Sequence, residues 1–267
     1  KILYDFNFLN ITIVMTFNFH YLGTNGFHSN ETSHTASYMI PELGVVFDAG
    51  SGFFRAIKLV QTPYLDIFLS HGHMDHVKGM HCLLEIYEQG KFKNIKIRFH
   101  AEQKVLDEID TLFCDPYFPA PVPMELIPLN LDGKEEDRVI DCIHEGVKVS
   151  YFPLHHTTTC FGYRLEYQGK SIAYVTDTVS DPNSEYLHNL NDLDVLFHEV
   201  NSMKEETSKP YGHTDTGNMI KVANIVKPKT LVLIHFSPNA NREEILKAVK
   251  EGYPNTLAAN DKEFLQI

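Results

Sequence analysis

Short apolar runs closed off by turn residues recur along the chain and predict buried strands. They are GVVFDAG (44–50), LDIFLSH (65–71), IKIRFHA (95–101), VKVSYFPL (147–154), GYRLEY (162–167), SIAYVTD (171–177), DVLFHEV (194–200) and TLVLIHFS (230–237). YQGKS (167–171) carries the glycine of a tight hairpin turn between two of them. Apolar residues at helical spacing predict helices over 77–88, 103–113, 217–226 and 242–250. The last opens on NREE, an Asn cap followed by acids in the first turn. The proline-rich CDPYFPAPVPMELIPL (114–129) cannot be helix interior and is expected to be a surface loop. Strands alternating with helices, with hairpins inserted, predict an α/β fold in which helices cover sheets.

Metal-capable side chains sit at the C-terminal ends of these runs. His71 follows LDIFLS, His156 follows VSYFPLH and Asp177 follows SIAYVT, while His198 and Glu199 end DVLF and His235 ends TLVLI. Strand ends converging on one rim of a sheet are where α/β proteins assemble sites. A solvated-face explanation does not account for the recurrence, because each residue follows a run that should be buried.

The densest cluster is HGHMDH (71–76). In extended chain, residues two apart point the same way, so His71 and His73 can face one ion, with Gly72 turning the backbone between them. Asp75 and His76, opening the next helix, can face a second ion. Imidazole and carboxylate are the donors zinc takes, and an open coordination position makes such a site catalytic. Asp177 suits a carboxylate bridging two ions, either His155 or His156 can supply a third imidazole to the first, and His235 can complete the second.

Composition narrows the partners. The 267 residues carry 35 acidic against 23 basic side chains, a net charge of −12, which argues against a broad phosphate-tracking nucleic-acid surface. A pair of bound divalent cations would itself attract an anionic substrate. The four cysteines, Cys82, Cys114, Cys142 and Cys160, form no C-x-x-C pair and read as free thiols. No apolar run approaches the roughly 18 residues of a membrane span, so no membrane partner is expected. KILYDFNFLNITIV is interrupted by Asp5 and two Asn and does not read as a signal peptide. Residues 1–14 are expected to be an N-terminal extension to a single domain at 15–267, and the location to be cytoplasmic.

The ordered set HGHMDH, HTTTCFGYRL, YVTDT, LFHEV, GHTD and LVLIHFSP resembles the metallo-β-lactamase superfamily, within it the ribonuclease Z branch and its phosphodiesterase relatives. FNFHYLGTNG is similar to the family's opening strand and Gly loop, so the resemblance runs from about Met15 to about Pro238. It implies a four-layer αββα sandwich with two divalent metals, zinc foremost and Mn or Fe as alternatives, at one edge of the paired sheets. Carried over, His71, His73 and His156 bind the first ion, His156 being preferred because it stands six residues before Gly162. Asp75, His76 and His235 bind the second and Asp177 bridges. The branch's His–hydroxyl pair after a glycine corresponds to GHTD, giving His213, and its acid to Glu199. A homodimer is also implied.

The chemistry implied is hydrolysis by a water that two cations acidify, with Asp75 orienting it or taking its proton. His213, made more basic by Glu199, would protonate the leaving oxygen. His20, His28 and His34 are candidate substrate contacts because the Gly loop should approach the ions, whereas His81 and His144 read as structural or exposed. Two departures limit the analogy. Common bacterial ribonuclease Z enzymes carry a long tRNA-clamping arm between the positions of His156 and Asp177, where this chain has only a hairpin. The family's HFSPR also reads HFSPN here, with Asn239 in place of the arginine. A small phosphodiester or nucleotide is therefore the favoured substrate, with RNA the main alternative. Thioester, lactone or arylsulfate hydrolysis is disfavoured by the GHTD and HE pair in the first two cases. A metal-binding scaffold without turnover is disfavoured because no expected ligand is missing.

Overall fold

The computed structural model describes residues 16–132 and 134–267; the extension expected at 1–14 lies outside the described residues. Two seven-stranded mixed sheets face each other. The first contains β1 (Asn18–Gly23), β2 (Ser37–Ile40), β3 (Val45–Ala49), β4 (Tyr64–Phe68), β5 (Lys96–Glu102), β6 (Glu125–Leu129) and β14 (Phe264–Gln266), in the order β14-β1-β2-β3-β4-β5-β6. The second contains β7 (Val139–Asp141), β8 (Lys148–Leu154), β9 (Cys160–Tyr167), β10 (Lys170–Val175), β11 (Val195–Glu199), β12 (Thr230–Ile234) and β13 (Thr256–Ala258), ordered β13 to β7. β3 to β6 are parallel, as are β10 to β13.

Both faces of the inner strands are apolar because both are covered. On β11 and β12, Val195, Phe197, Val232 and Ile234 point between the sheets, and Leu196, Leu231 and Leu233 point outward. Phe19 of β1 stacks on Phe197 at 3.9 Å between ring centroids, joining the sheets, and Phe47 stacks on Tyr174 at 5.3 Å. The outer face of the first sheet is covered by α2 (Leu83–Gln89) and α3 (Gln103–Leu112), and that of the second, after the short α4 (Glu205–Ser208), by α5 (Thr216–Val226) and α6 (Arg242–Gly252). This is the four-layer αββα sandwich. Asn241 caps α6 by accepting from the Glu244 N–H, and Asp215 caps α5.

Two expected elements differ. The helix over 77–88 is broken into α1 (Met74–Val77), a 3₁₀ turn at Met80–Cys82 and α2. The break falls at Gly79, whose N–H donates to the Ala49 carbonyl and whose Cβ, if present, would lie 2.0 Å from the Gly50 carbonyl oxygen. Backbone contact with β3 thus replaces a continuous helix. The expected loop over 114–129 ends in strand β6, which tolerates Pro128 because it is the edge strand of its sheet. No helix among the described residues is long and apolar enough to cross a membrane.

Candidate metal centre

The ends of the parallel strands supply one rim of the sandwich. Asp48 lies within β3, His71 follows β4, Asp177 follows β10, Glu199 ends β11 and His235 follows β12. Phe27, Asp48 and His235 have positive φ (56°, 56° and 54°), three of eight such non-glycine residues described, and Asp48 and His235 are buried. Left-handed backbone costs about 1–2 kcal/mol per residue, and its concentration here marks where the fold tolerates strain to aim side chains.

Two donor sets result. In the first, His71 Nε2 lies 2.9 Å from His73 Nδ1, and His156 Nε2 lies 3.3 Å from the same atom. Asp177 Oδ2 stands 3.6 Å from both His71 and His156 Nε2. In the second, His76 Nε2 is 3.1 Å from His235 Nε2, and both lie 3.4 Å from Asp75 Oδ2. Asp177 Oδ1 is 3.4 Å from His76 and 3.1 Å from His235. One oxygen of Asp177 therefore faces each set.

These donors suit metal ions better than one another. A tetrahedral ion with bonds near 2.0–2.1 Å separates its ligands by about 3.3 Å, the spacing seen in both sets. The tautomers point the same way. His156 Nδ1 donates to the Gly212 carbonyl at 2.9 Å and His76 Nδ1 to Asp48 Oδ2 at 2.8 Å. Ser70 Oγ gives its proton to Asp48 Oδ2 and so accepts from His71 Nδ1 at 3.0 Å. In their neutral forms these three imidazoles turn Nε2 lone pairs toward the cluster centres, an arrangement that a cation relieves. Asp48, Asp75 and Asp177, all buried, add three carboxylates that need positive charge nearby. Burial would raise the Asp177 pKa, but His235 and His76, when protonated, hold it well below the usual carboxylate range, a role that a cation takes over when they are neutral. The residues fit two divalent cations.

Asp48 stands outside the expected ligand set, yet it anchors His76, the Ser70 N–H at 2.7 Å and the Tyr174 hydroxyl at 2.7 Å. Its signal was an acid inside the apolar run GVVFDAG, two residues before a glycine. His155 is exposed, whereas His156 turns inward. The Gly loop does approach the centre: a Cβ on Gly26 would stand 2.4 Å from the His235 ring, and the Phe27 N–H donates to Asp75 Oδ2 at 2.7 Å.

A cavity of about 360 Å³ opens over both sets, lined by Phe27, His73, Met74, Asp75, His156, Asp177, Tyr211 and His213. His213 Nδ1 is 3.2 Å from each oxygen of the buried Glu199, whose Oε1 also accepts from the Thr178 N–H. Burial lowers the His213 pKa, but the Glu199 carboxylate outweighs it and raises the value to about 9. His20, His28 and His34 do not line this cavity. His20 stacks on Phe264 beside a separate one, exposed His28 lies against Ser29, and His34 packs on Phe54 and meets Ser51. The Gly loop instead contributes Phe27, because its left-handed φ turns the chain at that residue. His198 is buried on the Tyr186 hydroxyl, His81 contacts its own turn, and His144 sits between Tyr64 and Tyr167.

The beta-lactamase superfamily domain matches residues 44–236. The chain is 26% identical over 254 residues to the chloroplastic tRNase Z TRZ2 of Arabidopsis thaliana, covering 81% of this chain and 68% of the relative. In fold it is similar to the human short-form tRNase Z, with a TM-score of 0.73 and 20% identity over 93% of this chain and 98% of that one. It is also similar to a diphosphatase of the PhnP family, with a TM-score of 0.70 and 20% identity over 95% and 98% of the two chains. A family match across most of the chain, on a four-layer sandwich with His and Asp clusters at one rim, makes this protein a member of the metallo-β-lactamase superfamily and a metal-dependent hydrolase.

Proposed function

We propose that this protein is a phosphodiesterase that cleaves a small phosphodiester or nucleotide with two divalent metal ions, zinc foremost. The observation that carries this reading is His213, seated on Glu199 and facing the same cavity as both donor sets. His71, His73 and His156 would hold one ion, Asp75, His76 and His235 the other, and Asp177 would bridge. Bound there, the ions would supply Lewis acidity that ionises a water near neutral pH and offsets charge on the phosphate.

The chain's own groups do the rest. Asp75, which accepts the Phe27 N–H, would orient the attacking water or take its proton. His213, charged at neutral pH, donates a proton to the departing oxygen, and Glu199 holds Nδ1–H so that Nε2–H is the proton given. Asp48 keeps His76 in its Nδ1–H tautomer. Phe27 and Tyr211 offer an aromatic edge against which a substrate ring can lie.

A small substrate is favoured by the short connection between His156 and Asp177, which is only the β9–β10 hairpin, and by the charge of −12. The second reading, tRNA 3′ processing, is favoured by the likeness to the chloroplastic tRNase Z. Metal-loaded protein should be offered bis(p-nitrophenyl) phosphate, cyclic AMP and a precursor tRNA side by side. Hydrolysis of the small diesters with an intact precursor supports the proposal. Efficient cleavage of the precursor at its 3′ side selects the second reading, and no hydrolysis of any diester by protein with both ions bound rejects both.

A further inference from the structure

Beside the cavity over the donor sets lies another, of about 340 Å³, lined by Met74, Val77, Met80, Val105, Ile109 and Leu112, with Gly72 and His73 at its inner end. The two share His73 and Met74, so the second adjoins the centre. Met74 is 68% exposed and Leu112 43% exposed, large apolar surfaces that a soluble protein seldom leaves beside a reacting centre without a use. The second cavity's own lining is aliphatic, and the nearby Phe113, Tyr117 and Phe118 line a neighbouring cavity that shares Met74, Val77, Met80 and Leu112 with it. His213 and Tyr211 line only the first cavity, so a group that meets His213 and a group that enters the aliphatic cavity would occupy different cavities.

Resting on the phosphodiesterase reading, we infer that the substrate is a phosphodiester whose retained substituent is an aliphatic chain, seated between α3 and the Met74–Met80 segment. The ester oxygen that departs faces His213, and the bond between phosphorus and the alkyl oxygen stays intact. Water adds to phosphorus, the P–O bond on the His213 side breaks, and the departing oxygen takes a proton. An alkyl phosphate monoester remains. Glu102 and Glu108 outnumber Lys104 in the lining, so the cavity offers no net positive charge to a second phosphate.

The test uses the metal-loaded protein and a series of alkyl p-nitrophenyl phosphates from methyl to octyl. The expected result is a kcat/KM that rises roughly fourfold per methylene until the cavity is filled, since each buried methylene contributes about 0.8 kcal/mol of transfer free energy. Val105→Trp, which fills the cavity, and Leu112→Glu, which charges its exposed end, should each bring the octyl-to-methyl ratio close to one. Leu112 is half-exposed, so the second variant reads out even where the first fails to fold. A flat chain-length profile in wild-type protein that does hydrolyse the methyl ester overturns this inference alone. No hydrolysis of any member overturns the phosphodiesterase reading. A flat profile together with a dimer that Leu112→Glu dissociates, seen by native mass spectrometry, assigns the apolar edge to a second copy instead.

Discussion

The Nδ1 atom of His213 stands 3.2 Å from each carboxylate oxygen of Glu199, a pair enclosed between the two donor sets and the protein interior. A carboxylate that is wholly buried and whose Oε1 also accepts from the Thr178 N–H can do little but orient this imidazole and keep it charged.

His213→Ala should therefore retain its metal content while losing turnover in proportion to how badly the leaving group needs a proton. On a ribose leaving oxygen, as in cyclic AMP, the loss should be roughly 10²–10⁴-fold, the usual worth of a general acid. On p-nitrophenyl esters, whose leaving group departs as a stable anion, it should be much smaller. Steady-state rates on both substrates, with elemental analysis, check this; equal losses on the two would remove the acid role.

Removing the metals should destabilise the fold. Without them, His71, His73 and His156 direct nitrogen atoms at one another 2.9–3.3 Å apart beside buried Asp177. Ions held at a thousand times their Kd contribute about 4 kcal/mol, which in a domain of this size lowers Tm by about 10 °C on chelation. Asp177→Asn takes one negative charge from the cluster and should shrink that difference, because the variant binds the ions poorly when they are present. Thermal scans of both proteins with and without chelator give the comparison.

How much of this was readable in advance depends on range along the chain. His71, His73, Asp75 and His76 lie within six residues, so local geometry alone suggested a shared purpose. The strands read well because their two covered faces make them continuously apolar. Asp48 escaped because an acid in a strand has no spacing that separates an anchor for a histidine 28 residues on from a solvated side chain. The break at Gly79 escaped for the same reason, since it depends on backbone from β3. Phe27 was passed over for His20, His28 and His34: side-chain chemistry suggested imidazoles, and the left-handed turn that presents a phenyl ring leaves no mark on composition.

Gly26→Ala should impair the second donor set without unfolding the protein. The added methyl would fall 2.4 Å from the His235 ring, and the nearest atoms are side chain, so the imidazole gives way rather than the backbone. Displacing one of four donors should lower affinity at that set by about 10–100-fold, in the range seen when a metal ligand loses its support. Metal titration monitored by activity would show it, and unchanged affinity would mean that the ring has room to move.

A last expectation concerns acid stability away from the centre. Asp66 is buried on β4 and accepts from His100 Nε2 at 2.8 Å, Arg98 Nε at 2.6 Å and the Ile143 N–H at 2.7 Å. Burial raises its pKa, but the bonds to His100, Arg98 and Ile143 outweigh that and lower it below the ordinary value. A carboxylate with a depressed folded pKa contributes stability above its unfolded pKa and loses it as the pH falls through the folded one. The Asp66→Asn variant, which leaves Arg98 without its counter-ion, should be less stable than wild type by about 2–3 kcal/mol at pH 7. That gap should narrow below about pH 4, where Asp66 of the unfolded chain takes up a proton that the folded carboxylate resists. Urea unfolding of the chelated proteins at pH 7 and pH 3 keeps metal release out of the comparison, and a gap of constant size would show that Asp66 acts through packing rather than charge.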